Sequence, residues 1–235
     1  MLYTESMVRM NIRTREGARV FYLGKGDTLT PGARDWLSRE RIPVLDAREA
    51  KPAEYRQPNG ATFREKPEHM THLHSNVLVL KSHPRIRFRG QMDALEAEIL
   101  LCQQECPDWR KDLGEILDLA RKIVRWEVLG EPADQEKLCG LTEGELRSHS
   151  HRPQDYYGQT HFMPEVADGP AVLHLNRCRT AARAAELAAA AAFTDENGNC
   201  AREDLLKLLN RMSSMIYILM IREKAARGNL KRGKV

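Results

Sequence analysis

Arg179, Arg183 and Glu186 lie four and seven residues apart, offsets that return to the same side of an α-helix. Two guanidinium groups and a carboxylate on one narrow stripe form a receptor for an anionic, carboxylate-bearing or polyphosphate group, because a guanidinium presents a planar fork of donors that matches such oxygens. The intervening residues are mostly alanine. Alanine lets neighbouring helices approach closely, so the long charged side chains stand out against a small-residue surface. Taken alone, the same pattern also describes a solvated helix face with an intrahelical Arg183 to Glu186 pair.

Other stretches invite chemistry. Lys81, His83, Arg85, Arg87 and Arg89 fall within nine residues, directly before a helical pattern whose free backbone N–H groups favour an anion. Asp93, one turn beyond Arg89, is expected to face inward, or else to serve as a helix-start carboxylate that complements the dipole. Asn210, Ser213 and Ser214 project polar groups from a segment rich in leucine, isoleucine and methionine, where they either tie helices together or read the polar edge of a ligand. His69, His72 and His74 are close enough to bind a metal, or to line a loop near a phosphate.

These residues need a scaffold. A chain of 235 residues suits one large domain or two small ones. Aromatics are only 6% while alanine and leucine abound, which favours helices packed on helices. The net charge of +4 comes from interspersed residues, so no dedicated nucleic-acid face is expected. No apolar run reaches the ~20 residues of a membrane span, and the start Met-Leu-Tyr-Thr-Glu-Ser has no secretory pattern, giving the expectation of a cytoplasmic protein without a membrane partner. Cys102, Cys106, Cys139, Cys178 and Cys200 are an odd, scattered set that reads as reduced thiols.

The predicted organisation has two parts. Residues 1–65 form a small α/β extension and linker. Val20 to Leu23 is a strand, Thr30 to Leu37 an N-capped helix with proline at its first position, and Ile42 to Leu45 a returning strand; the polar linker runs through Ala50 to Ala53 and Gln57 to Gly60. Residues 66–235 form a mainly α domain, a five-helix-type bundle. Its helices are expected near 87–104, 108–129, 142–148, 167–193 and 202–227, with an irregular stretch from Ser148 to Gly169. Thr142 to Glu145 is a capping box.

The chain resembles the cobalamin adenosyltransferases of the PduO-like group, and within them the ethanolamine-utilisation (EutT) type. Lys81, Gly90 and Asp93 match a lysine nine residues before a Gly-x-x-Asp-Glu-Leu helix; Arg179, Thr180, Arg183 and Glu186 match an Arg-Thr-x-x-Arg-Arg-Ala-Glu helix; and Leu209 to Ser213 match Leu-Asn-Arg-Leu-Ser. Thr71 to Leu73, Leu29 to Arg34, Val128 to Pro132 and His161 to Glu165 resemble stretches of the EutT type. The chain departs from the patterns at Ala184, where the motif has a second arginine, and at Ser214, where an aspartate often stands. The Cys-Cys-x-x-Cys cluster of some members is absent from the sequence.

The resemblance implies a bundle that transfers the 5'-deoxyadenosyl group of ATP to the cobalt of a reduced corrinoid, giving adenosylcobalamin and triphosphate. It implies that Arg179, Arg183 and Asp93 are catalytic and that Lys81, Thr71, Glu186 and Asn210 hold ATP, with Glu186 fixing an arginine or coordinating Mg²⁺. His161 and Phe162 would form the wall against the lower face of cobalamin. It further implies a homo-oligomer, by analogy a trimer, with Asp93 and Arg179 paired across subunits. A flavoprotein reductase as electron donor, ethanolamine utilisation as the setting, and a place in a bacterial microcompartment beside its enzymes also follow. The alternative is an ATP or cobalamin carrier or sensor that transfers nothing.

Overall fold

The computed structural model describes residues 1–15, 18–49 and 55–232, which form two compact units, Met1–Glu68 with Asn76–Leu78 and His69–Ser75 with Val79–Val235. The protein is mainly α, with a small N-terminal α/β part.

In the first unit, helices α1 (Glu5–Met10) and α2 (Pro31–Arg39) accompany a three-stranded sheet. Its central strand, Ala18–Leu23, runs antiparallel to Arg13–Arg15 and parallel to Val44–Asp46, so α2 is the crossover of a β-α-β unit. The Thr30 hydroxyl accepts from the Ala33 N–H at 3.3 Å, and Pro31 occupies the first helical position, where no N–H is needed. Val8, Phe21, Leu29, Ala33, Trp36, Leu37 and Ile42 form the core. Of the expected linker, Ala50 to Ala53 lies outside the described residues. Gln57 to Gly60 is a turn that closes with the Gln57 N–H donating to the Ala61 carbonyl at 2.8 Å.

The second unit contains α3 (Pro84–Glu105), α4 (Arg110–Leu129), α5 (Glu143–His151), the short α6 (Pro153–Tyr157), α7 (Pro170–Phe193) and α8 (Glu203–Arg232). Helix α7 packs along both α3 and α8, α4 lies along α3, and α5 rests on α8. Ala182, Ala185 and Ala189 are fully buried, which is how the alanine-rich helix sits between two neighbours. Leu95, Ile99, Leu113, Ile116, Leu209 and Ile216 belong to one continuous core. Cys102 and Cys106 are part of it, with their sulfurs 3.7 Å apart. The capping box forms as expected, Thr142 and Glu145 each bonding the other's backbone N–H. Gly169, at the N-cap of α7, has φ +86°, and a Cβ there would overlap the Arg227 guanidinium as it stands. The left-handed backbone is what calls for glycine, since the guanidinium is the far end of a flexible side chain and can swing aside.

Three boundaries differ from expectation. Helix α3 starts at Pro84 rather than near Arg87, because proline fits the first helical position and the His83 Nδ1 accepts from the Arg85 N–H at 3.2 Å as a side-chain cap. Arg85, Arg87 and Arg89 therefore belong to the helix and not to a basic loop. The irregular stretch before α7 contains α6, which starts at Pro153 and ends at Gly158 in the left-handed conformation. Helix α8 continues to Arg232.

The cap makes α3 sensitive to acid. Burial, followed by the charges of Arg85 and Arg89, holds the His83 pKa below its ordinary 6.5. The folded state thus resists protonation, and the stability that neutral His83 contributes is present above pH 6.5 and lost as pH falls through the lowered folded pKa. A cap is worth about 1 kcal/mol. Comparing thermal midpoints at pH 7.5 and 5.5, the wild-type chain should lose more than His83→Asn, whose amide caps without titrating.

Candidate functional site

The charged stripe forms on α7, but its internal pairing is not the one a solvated face would show. Glu186 does not bond Arg183. Its Oε1 accepts from the Asn210 Nδ2 of α8 at 3.0 Å, while the Asn210 Oδ1 accepts from the neighbouring Arg211. The amide is thereby oriented, one of its N–H groups is spent, and Glu186 keeps Oε2 without a partner among the described residues. Ser213 and Ser214 bond back to the Asn210 carbonyl of their own helix at 2.9 and 3.1 Å, so the α7 to α8 tie runs through Asn210 alone of these three.

Arg179 is half-buried and Arg183 exposed. The Arg179 Nε and Nη2 donate to the Asn176 Oδ1 at 3.2 and 3.0 Å, within the same helix, and its guanidinium carbon lies 6.0 Å from the centre of the Tyr217 ring. Among the described residues neither arginine has a carboxylate partner. Burial, and then the neighbouring Arg183 charge, lowers the pKa of Arg179. An arginine still stays charged. The result is a pair of cations that repel each other, one of them partly desolvated, a state that an anion of two or more charges relieves.

Tyr217, seven residues after Asn210, continues the same stripe two turns along α8, a spacing by which the sequence alone points to it. Its hydroxyl lies 3.0 Å from the His161 Nδ1, and its ring stacks on both His161 and Phe162, with interplanar angles of 8° and 25°. Lys224 covers the Phe162 ring at 4.1 Å. The structure thus gathers Arg179, Arg183, Glu186 and Asn210, and attaches His161 and Phe162 to them through Tyr217.

No direct contact joins this group to Lys81, Thr71 or Asp93. Lys81 is exposed, its N–H donating to the His69 carbonyl at 3.0 Å. Thr71 is half-buried in the strand Met70–His74. Asp93, expected to face inward, is exposed on α3 and without a partner among the described residues. Arg89 reaches Glu127 instead of Asp93: the fully buried Glu127 carboxylate receives the Arg85 Nε at 2.5 Å and the Arg89 Nε at 2.7 Å. His69, His72 and His74 are all exposed, and no three His, Cys, Asp or Glu side chains among the described residues gather as a metal site.

Residues 61–223 match the family model described as cobalamin adenosyltransferase. The corrinoid adenosyltransferase EutT of Escherichia coli K12 is 33% identical over 242 residues, covering 93% of this chain and 90% of that protein. The corrinoid adenosyltransferase EutT of Salmonella typhimurium LT2 is 33% identical over 246 residues, with the same coverage.

Proposed function

The chain belongs to the cobalamin adenosyltransferase family, and we propose that its Arg179, Arg183, Glu186 and Asn210 carry out the transfer. The protein is a corrinoid adenosyltransferase of the EutT type, an ATP-dependent transferase, and ethanolamine utilisation fits its relatives. The observation that supports the residue assignment is the pair of α7 arginines without a carboxylate between them.

In the reaction the Co(I) of the corrinoid attacks C5' of ATP. A cobalt to carbon bond forms, the bond from C5' to the triphosphate oxygen breaks, and its electron pair leaves with the triphosphate. The protein need supply no nucleophile. It must hold C5' in line with the metal and neutralise the charge gathering on the leaving group. Arg179 and Arg183 do the second, aided by Lys81 from its exposed turn, with Thr71 on the strand Met70–His74. Asn210 offers its remaining N–H to the ribose or adenine. Mg²⁺ suits the site, because the free Glu186 Oε2 supplies one carboxylate oxygen and the phosphates supply the rest. Bound there, the ion would add charge neutralisation.

We place the catalytic domain at residues 66–235 and treat residues 1–65 as an extension. On α3, Asp93 shares its stripe with exposed Leu100, and on α7 Arg183 shares its stripe with Leu187, which is 71% exposed. Apolar residues beside unpartnered charges support a second copy seated there, with Asp93 of one protomer against Arg179 of the next in a trimer. A flavoprotein reductase supplies the electron that makes Co(I). No helix among the described residues is long and apolar enough to cross a membrane. We place the enzyme in the cytoplasm, beside or inside a protein-shelled compartment.

An anaerobic assay with cob(I)alamin, ATP and Mg²⁺ tests the reading. Loss of the Co(I) absorbance, a photolabile product and triphosphate in equal amount are expected. Binding of ATP and corrinoid without triphosphate release would make the chain a carrier or sensor.

A further inference from the structure

His161 can have only one tautomer when neutral. Its Nε2 lies 3.1 Å from the His151 carbonyl, which can only accept, so Nε2 carries the proton and Nδ1 accepts from the Tyr217 hydroxyl at 3.0 Å. The ring is held at both ends, by α8 on one side and by the end of α5 on the other. The face of Tyr217 then supports Phe162, and the Arg179 guanidinium lies 6.0 Å from its centroid. A single half-buried side chain thus contacts the segment before α7 through a hydrogen bond and two stacked rings, and the arginine stripe of α7 through its π-face.

We propose that Tyr217 is a positioning residue for adenosyl transfer, holding His161 and Phe162 as a rigid wall while orienting Arg179. The proposal rests on the reading of His161 and Phe162 as the wall against the lower corrin face. Tyr217 touches neither substrate; it makes the corrin wall and the phosphate clamp share one support, so that ordering either of them favours ordering the other. The two contacts are separable, since the hydroxyl serves His161 and the ring serves Phe162 and Arg179.

Tyr217→Phe, Tyr217→Leu and Phe162→Ala in the full-length chain test this, each compared with the wild type for thermal midpoint, for kcat and KM of ATP, and for the Co(II) EPR spectrum of cob(II)alamin with ATP, which reports axial ligation. Tyr217→Phe should lower kcat about 2- to 10-fold, the worth of one hydrogen bond, leave KM for ATP unchanged, and shift the EPR spectrum toward the axially ligated form. Tyr217→Leu should also raise KM for ATP, because Arg179 loses its ring. A wild-type kcat and spectrum for Tyr217→Phe, alongside a shifted spectrum for Phe162→Ala, would overturn the role of Tyr217 and spare the wall. An unshifted spectrum for Phe162→Ala would remove the wall itself, and the proposal with it. Should Tyr217→Leu fail to fold, the isosteric phenylalanine variant still decides.

Discussion

Arg179→Ala is expected to lower kcat/KM for adenosyl transfer by about 10²- to 10³-fold, the usual cost of removing one aimed donor from a developing oxyanion, and Arg183→Ala to do nearly the same. Neither should harm the fold. Arg183 is exposed, and Arg179 bonds only Asn176 on its own helix and faces the Tyr217 ring. Deleting either relieves the repulsion between them, so the thermal midpoint should hold or rise slightly. Arg179→Lys separates charge from shape: it keeps the cation but loses the planar fork, and should recover only part of the rate. Turnover kinetics with ATP in excess, read beside circular dichroism melts, check all three. Near-normal turnover in either alanine variant would remove the arginines from the phosphate site.

The stripe was legible in the sequence because it lies within one helix, where spacing translates directly into direction. The same holds for the Thr142 to Glu145 capping box and for the Thr30, Pro31 start of α2, each set by residues at most four apart. What could not be read is what crosses between helices. Glu186 looked like a partner for Arg183, three residues away, yet it bonds Asn210, 24 residues away, because α7 and α8 lie close enough for an amide to reach a carboxylate. The run from Lys81 to Arg89 looked like one basic patch. A proline at the first helical position divided it, leaving Lys81 in a turn and turning Arg85 and Arg89 onto one face of α3. Asp93, placed inside by its distance from Arg89, lies outside for the same reason: Arg89 had a buried carboxylate 38 residues on. Tyr217 lay on a stripe already drawn through Asn210 and needed only one more step of seven.

Glu127→Ala is the substitution expected to cost the fold most. Its carboxylate is fully buried and receives three hydrogen bonds from two arginines, the Arg85 Nε on Oε1, the Arg89 Nε on Oε2 and the Arg89 Nη2 on Oε1 at 3.3 Å, while the Arg85 Nη2 donates to the Glu127 backbone carbonyl at 3.0 Å. Arg89 also donates to the Leu73 carbonyl at 2.7 Å. The end of α4, the first turns of α3 and the strand carrying Thr71 are thereby fastened to one group. Removing the carboxylate leaves two arginines facing each other with most of their surface out of water, and breaking such a buried pair costs roughly 3 to 5 kcal/mol. For a chain of this size that corresponds to a fall in melting temperature of roughly 10 °C. Glu127→Gln should fare little better, since it keeps the shape but not the charge. The sign of the remaining comparison is the informative one. A triple replacement of Arg85, Glu127 and Arg89 by methionine or leucine removes the stranded charges along with the pair, so it should melt above Glu127→Ala despite carrying more changes. Urea melts of the three variants measure this. A triple variant less stable than the single one would mean that the arginines hold α3 by contacts other than Glu127, and that the carboxylate is a guest of the site and not its anchor.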